Sequence, residues 1–393
     1  MLPSLSHLAF LDEKSIGRRW LSDQGQNPFD ADGNPFAVDI AKIRASKAWA
    51  RLENNTVASI GFRSGTTDGV SYAEALARYV QDGAVALDLN VNLAEAIALQ
   101  SNLGDIIFGH DGERFLSEKL DQPFKGRNFG VFVAEEIEAS GRGLNLSYEV
   151  LQGSLYQVSL KDSREGKCYE IKGNSQEAVL VGFLDKIASV LECYQADGHL
   201  VSDTHKVRLQ DVAAQLGSSH GARLQACFGA LKEESLSQGC VSFRYSKEAR
   251  DLLKLRELML EKVYTFSHGS EFQQRWNILK TLYEFYYYFA YYREGTTRSL
   301  VFKEASPELY TKAAILALAL MTEKQANFLS FLVKTEGTQV IFKRDSHRPD
   351  FPIAEFFPCI SQGVYKNFWA PGINWARRNR LFFRLEAKKS LVA

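Results

Sequence analysis

The chain has 393 residues, with 47 lysines and arginines against 47 aspartates and glutamates, so its formal net charge is zero. That balance excludes a protein that coats a polyanion, though not one with a local basic patch. With 45% hydrophobic and 24% charged residues it reads as an ordinary globular chain, long enough for two or three domains or one large helical body. In chain order, residues 1–35 read as an irregular arm, rich in turn formers from Asn27 to Pro35. Phe36, Ile40, Ile43 and Ala48 recur at helical spacing and predict a helix from Phe36 onward. A loop at 65–68 precedes helices over 71–82 and 92–103, the second with Leu93, Ala96, Ile97 and Leu99 toward one face. A break at 106–112 leads into a helix over 113–120. Residues 155–171 alternate and suggest a short hairpin, followed by a strong helix over 177–195. Helices dominate from 207 to 332, notably 249–263, 271–292 and 307–332, and 338–342 reads as a strand. The expected fold class is all-α, with at most a minor β element.

The five cysteines (Cys168, Cys193, Cys227, Cys240, Cys359) form no CxxC pair. Neither a structural zinc site nor a disulfide framework is expected, and a reducing cytoplasm fits best. The first residues lack a basic region ahead of their short apolar run, so no signal peptide is read. The longest apolar run, 313–321, is far short of the ~20 residues that span a bilayer, and no membrane association is expected. The histidines are His7, His110, His199, His205, His220, His268 and His347. No two are close enough in sequence to suggest a metal pair, and none lies between His7 and His110.

Several motifs stand in an order that resembles the deoxyguanosine triphosphate triphosphohydrolase family of the HD superfamily. The family's F-x-x-D-x-x-R-I-x-x-S-x-A-F-R-R-L is similar to Phe36, Asp39, Lys42, Ile43, Ser46, Ala48, Trp49, Arg51 and Leu52. Its V-E-A-I-A-L is similar to the run from Ala94 to Leu99, and its H-D-L-G-H-P-P-F-G-H-x-G-E to the run from Ser101 to Glu113. Gly143 to Leu146 matches a G-L-N-L segment, and Leu184 to Ser189 resembles A-D-D-I-A-Y. Lys254 to Glu257 and Ala319 to Glu323 resemble two further motifs, so the likeness covers roughly residues 36–330. It implies an HD-type helical core over 36–215, a helical C-terminal region over 216–393, and symmetric oligomers.

The resemblance also implies a chemistry. HD-type phosphohydrolases hold a divalent metal through two histidines and two aspartates, and the metal activates water and polarises phosphate. Counting back without gaps from Glu95 puts Tyr72 at the first histidine, and Ser101 and Asn102 stand at the HD dyad. Only the last aspartate, Asp185, is retained, so three of four ligand positions carry other residues. Tyrosine, serine and asparagine are neutral at pH 7 and weak ligands. No cofactor is therefore expected; an active enzyme would need a divalent metal such as Mn or Mg. Further departures fall at expected pocket positions: Asp105 for the second histidine of H-D-x-G-H, Ser189 for the tyrosine of A-D-D-I-A-Y, and Arg127 after F-K-G. Arg51 keeps its place in the first motif. Thr67 and Gly69 replace two basic residues that face triphosphate in the family.

One pair survives. The family's catalytic histidine and glutamate correspond to His110 and Glu113, which at i,i+3 share a helical face. They read either as a remnant acid/base pair or as a structural contact opening a helix. A displaced dyad at His110 and Asp111 is set aside, because it falls where the family has a turn. Asp185 reads either as a remnant ligand or as a buried carboxylate paired with Asn102 or Tyr72. The aromatic run from Tyr283 to Tyr292 reads as a core or oligomer helix, or as a surface for base stacking. Beyond Lys366 a basic aromatic tail includes Arg377, Arg378 and Arg380, which suits single-stranded nucleic acid or a solvated edge. Three functions follow. One is a dGTPase-like protein without metal-dependent hydrolysis that binds a nucleotide such as a dNTP, a nucleic acid or a protein partner. Another is an enzyme with a rebuilt site using His110, Glu113 and Asp185. The third is a structural subunit pairing with an active paralogue. Whether the chain is an enzyme is left open by the sequence.

Overall fold

A computed structural model describes residues 4–18, 34–55, 68–155, 158, 175–197, 203–266, 270–293 and 307–337. Among them the chain is helical, without strands, as the all-α expectation required. In chain order the helices are α1 (Pro35–Arg44), α2 (Lys47–Leu52), α3 (Gly69–Leu87), α4 (Val91–Asn102), α5 (Gly109–Leu120) and α6 (Gly126–Phe132). A π-helical turn, Val133–Ile137, leads to the single turn α7 (Glu138–Gly141). Then come α8 (Tyr148–Leu155), α9 (Gln176–Asp197), α10 (Asp203–Leu216), α11 (His220–Gln238) and α12 (Lys247–Phe266). The last are α13 (Ser270–Arg293), α14 (Pro307–Leu320) and α15 (Glu323–Glu336). The chain forms two compact units, each assembled from separated stretches. Unit 1 is Met1–Ala45, Val57–Asn102 and Asn145–Ser267; unit 2 is Ser46–Thr56, Leu103–Leu144 and His268–Ala393.

In unit 1, the start of α1 is set by Asn34, whose side-chain oxygen accepts the Phe36 and Ala37 N–H groups while Pro35 fills the first helical position. Asp68 caps α3 through the Ser71 N–H at 2.9 Å. The buried stripe Tyr72, Leu76, Val80, Ala84 and Leu87 then follows at helical spacing. Every residue of α4 from Leu93 to Asn102 is buried, because α1, α3, α8 and α9 all pack around it. The described part of the N-terminal arm is not loose. Phe10 N–H donates to Glu177 (2.9 Å), Ile16 N–H to Glu149 (2.6 Å), and Arg18 pairs with Asp39. Burial pushes the Asp39 carboxyl up, against the pull of the Arg18 guanidinium and the Ser147 hydrogen bonds. Lys42 beside this pair is brought down to about 8, first by burial and then by the Arg18 charge.

In unit 2, Ser46 caps α2 through the Trp49 N–H. The buried Glu138 carboxylate accepts from Ala48 N–H at 2.7 Å. Helix α5 packs on α13 and α14, with Phe115 edge-on to Trp276 at 5.0 Å. Of the aromatic run, Phe285 and Tyr286 are buried, and Tyr283 Oη lies 3.2 Å from Thr311. The described rings of this run are thus packing residues. Gly104 permits the closest backbone approach in the unit: a Cβ there would lie 1.8 Å from Gly126 O and 2.3 Å from Gly130 N.

Several expectations are corrected in detail. Helix α5 starts at Gly109, inside the stretch 106–112 that read as a break, because Phe108 takes a left-handed conformation (φ 58) and turns the chain into the helix early. The single helix expected over 307–332 is two, divided where Thr322 and Gln325 form a capping box. Helices α6 and α8 had no periodic signal and were not expected. Cys240 is disulfide-bonded, against the expectation drawn from cysteine spacing, while Cys193 and Cys227 are buried, Cys227 as a free thiol. No helix among the described residues is long and apolar enough to cross a membrane. The hairpin expected at 155–171, apart from Leu155 and Val158, the strand at 338–342 and the tail with Arg377, Arg378 and Arg380 lie outside the described residues.

Candidate functional site

Unit 1 holds the four positions at which the resemblance implies metal ligands. Tyr72 sits one turn into α3, Ser101 and Asn102 end α4, and Asp185 lies mid-way along α9. Tyr72 and Asp185 are 113 residues apart in sequence, yet the tyrosine hydroxyl donates to Asp185 Oδ1 at 3.1 Å. Tyr72 was one of two partners that the sequence suggested for this carboxylate. The other, Asn102, is turned to its own helix: its Nδ2 donates to Ala98 O at 2.7 Å, and Ser101 Oγ donates to the same carbonyl at 2.8 Å. Both side chains are buried, and each donates to the backbone of its own helix. Ser189, one turn beyond Asp185, donates to Lys186 O at 3.2 Å.

Unit 2 holds the other candidates. On the first turn of α5, His110 Nδ1 stands 3.0 Å from Glu113 Oε2. The other oxygen of Glu113 accepts the Gly126 N–H at 2.7 Å, which anchors the carboxylate to the start of α6. The histidine side chain is 61% exposed and the glutamate 19%. Burial works to raise the Glu113 carboxyl. The hydrogen bond and charge of His110, the Gly126 N–H and the Lys125 charge outweigh it, so the group lies below its ordinary range. Asp111 pairs with Arg275 at 3.1 Å, fixing the first turn of α5 to α13. Nothing in the sequence marked Arg275, since the pair spans a long separation. Gly126 had one signal, its place after Phe124 and Lys125 in the F-K-G run.

Arg51 is half-buried. Its Nη1 donates to Ala319 O (2.6 Å) and its Nη2 to Leu103 O (2.8 Å). Burial brings the guanidinium down to about 10, with the Asp105 and Glu138 charges pulling the other way. Arg51 is therefore a brace between carbonyls rather than a group presented to solvent. Asp105 and Arg127 are half-buried, the latter on the first turn of α6.

A divalent metal needs several anionic or imidazole donors converging on one point. The residues at the implied ligand positions supply one carboxylate, a phenol, a hydroxyl and an amide, three of them engaged as hydrogen-bond donors. Among the described residues no group of three or more His, Cys, Asp or Glu side chains could hold a metal ion. The donor set does not fit the family's metal.

A chain helical throughout its described residues, carrying these motif positions on α3, α4 and α9 of unit 1 and on α5 of unit 2, has the character of a dNTP triphosphohydrolase-like protein. No protein-family model matches the chain. It is similar to a deoxyguanosinetriphosphate triphosphohydrolase-like protein of Caldanaerobacter subterraneus subsp. tengcongensis, 31% identical over 267 residues, which cover 65% of this chain and 71% of the relative. The protein of that name from Clostridium tetani is 28% identical over 67% of this chain and 74% of its own length. One from Clostridium perfringens is 29% identical over 72% and 81%. The chain belongs to the deoxyguanosinetriphosphate triphosphohydrolase-like family.

Proposed function

We propose that this chain is a nucleotide-binding member of the family that does not carry out metal-dependent triphosphate hydrolysis. The observation that supports this most is the hydrogen bond from Tyr72 to Asp185, where a histidine and an aspartate of the family would share a metal. Family membership supports a deoxynucleoside triphosphate as the ligand. Bound without a metal, such a ligand would act as a signal or a stabiliser of an assembly, either of identical chains or with an active paralogue. The test combines a thermal-shift screen with dNTPs and an assay for released triphosphate in Mn²⁺ and Mg²⁺. A dNTP at 100 times its Kd adds about 2.7 kcal/mol of stability, so binding is readily seen. The expected result is a shift without triphosphate release. Robust release with either metal would overturn the non-hydrolytic reading, and no shift with any dNTP would overturn the ligand.

A second reading rests on the other cluster. His110, oriented by Glu113 and largely exposed, has the geometry of a general base with one ring nitrogen free for a substrate or water. On this reading the chain hydrolyses a nucleotide by a metal-independent route. Turnover that persists in EDTA and disappears in His110→Ala would favour it over the first reading. A nucleic-acid role for Arg377, Arg378 and Arg380 is tested by the salt dependence of single-stranded DNA binding.

A further inference from the structure

The disagreement between the family's metal and this chain's donor set extends to how the fold is held. We infer that the hydrogen bond between Tyr72 and Asp185 takes over the structural place of a metal, that the chain folds without any divalent cation, and that its three-helix frame still presents the ligand positions in usable geometry. This rests on the non-hydrolytic reading above.

Three observations carry the inference. First, two of the four ligand positions, 113 residues apart, stand within hydrogen-bond distance, so the frame that would bring two ligands to one ion is intact. Second, α3, α4 and α9 each pack on the other two. The α3–α9 approach is set by Gly83, where a Cβ would lie 3.1 Å from Leu184 Cδ1 and 3.3 Å from Leu180 Cδ1. Buried Leu76, Val80, Leu180 and Leu184 fill that contact, so apolar packing holds the helices together without an ion. Third, a side-chain donor of each residue at the other three implied ligand positions is engaged locally. Ser101 and Asn102 donate to Ala98 O, and the Tyr72 hydroxyl donates to Asp185. A site that had merely lost its ligands would leave buried donors or acceptors without partners at these positions.

The experiment uses the full chain and two variants. In the wild type, the Tm is expected to be unchanged by EDTA and by Mn²⁺ or Ni²⁺, and the metal content after dialysis against Mn²⁺ to be far below stoichiometric. A Tm drop in EDTA, or a stoichiometric metal in the purified protein, overturns the inference. The triple variant Tyr72→His, Ser101→His, Asn102→Asp restores imidazole and carboxylate beside Asp185. It is expected to take up stoichiometric Mn²⁺ and to gain about 2–4 °C or more in Tm when saturated. A folded triple variant that gains neither shows that the frame no longer presents the positions, and overturns that part. If the triple variant does not fold, Tyr72→His alone places one imidazole against Asp185. It is expected to show a Ni²⁺-dependent Tm rise absent from the wild type, and no rise overturns the same part. Nucleotide binding is read separately, by dNTP shifts in EDTA. Failure there removes the nucleotide reading and leaves the metal result standing.

Discussion

On α3, α4 and α9 of unit 1, the positions expected to ligate a metal hold a phenol, a hydroxyl, an amide and one carboxylate. On α5 of unit 2, an imidazole and a carboxylate stand 3.0 Å apart, as the motif requires. The difference goes with burial. Tyr72, Ser101 and Asn102 are buried, and a buried polar group without a partner costs about 1–3 kcal/mol. Residues that replace ligands there must pair with one another or with the backbone, and they do. His110 is largely exposed, so water satisfies its second nitrogen and no internal partner is needed. Burial thus decides how far polar side chains in each cluster must find partners within the protein.

Substitutions at four positions break or sharpen this contrast. Gly104→Ala should have the largest effect, since its Cβ would overlap the Gly126 carbonyl and the Gly130 amide. Because Gly126 N–H holds Glu113, the substitution should loosen the surviving pair while costing about 3 kcal/mol or more in denaturant unfolding. A cost under ~1 kcal/mol would mean that the two backbone segments separate freely. Glu113→Ala should follow at about 1–3 kcal/mol, because it strips partners from both His110 and the Gly126 N–H. The same carboxylate should give a pH signature. Its folded pKa lies below the unfolded value of about 4.3, so its stabilisation is complete above that pH and is lost as pH falls through the folded value. The stability gap between wild type and Glu113→Gln should therefore narrow below about pH 4, and a gap that widens in acid would contradict the assigned direction. Tyr72→Phe should cost about 1 kcal/mol by leaving Asp185 one donor short, and an unchanged stability would show that the bond is idle. Ser101→Ala should change stability by no more than about 0.5 kcal/mol, since its hydroxyl only doubles a bond already made at Ala98 O. A larger loss would mean that the hydroxyl supports the centre.

Much of this frame was legible in the sequence. The helical spacing of Phe36, Ile40 and Ile43 announced α1, and Leu93, Ala96, Ile97 and Leu99 announced α4, because local side-chain periodicity decides them. The ordered motifs announced the family, and the i,i+3 spacing announced the contact between His110 and Glu113. What stayed hidden was non-local. Arg275 reaches Asp111 across unit 2, Glu138 caps α2 from 90 residues away, and Arg51 braces carbonyls on either side of it. None leaves a periodic trace. Helix α6, short and opened by Gly126, is held by its contacts more than by its propensity. The break expected at 106–112 failed for a different reason: a bulky residue, Phe108, adopted a backbone conformation that sequence rules reserve for glycine.

The brace at Arg51 also sets a clock on synthesis. Its acceptor at Ala319 is made 268 residues later, which at about 5–20 residues per second is roughly 13–54 s of translation. Through that interval the guanidinium is on a chain that cannot yet offer it its final partner. Unit 1 has all of its stretches once Ser267 is made, whereas unit 2 awaits the residues from His268 onward. The nascent chain thus passes through a stage in which one unit can be complete while Arg51 lacks its Ala319 acceptor and α5, already made, lacks α13 and α14. At that stage Phe115 and the surface of α5 around it are open to chaperones or to a neighbouring nascent chain.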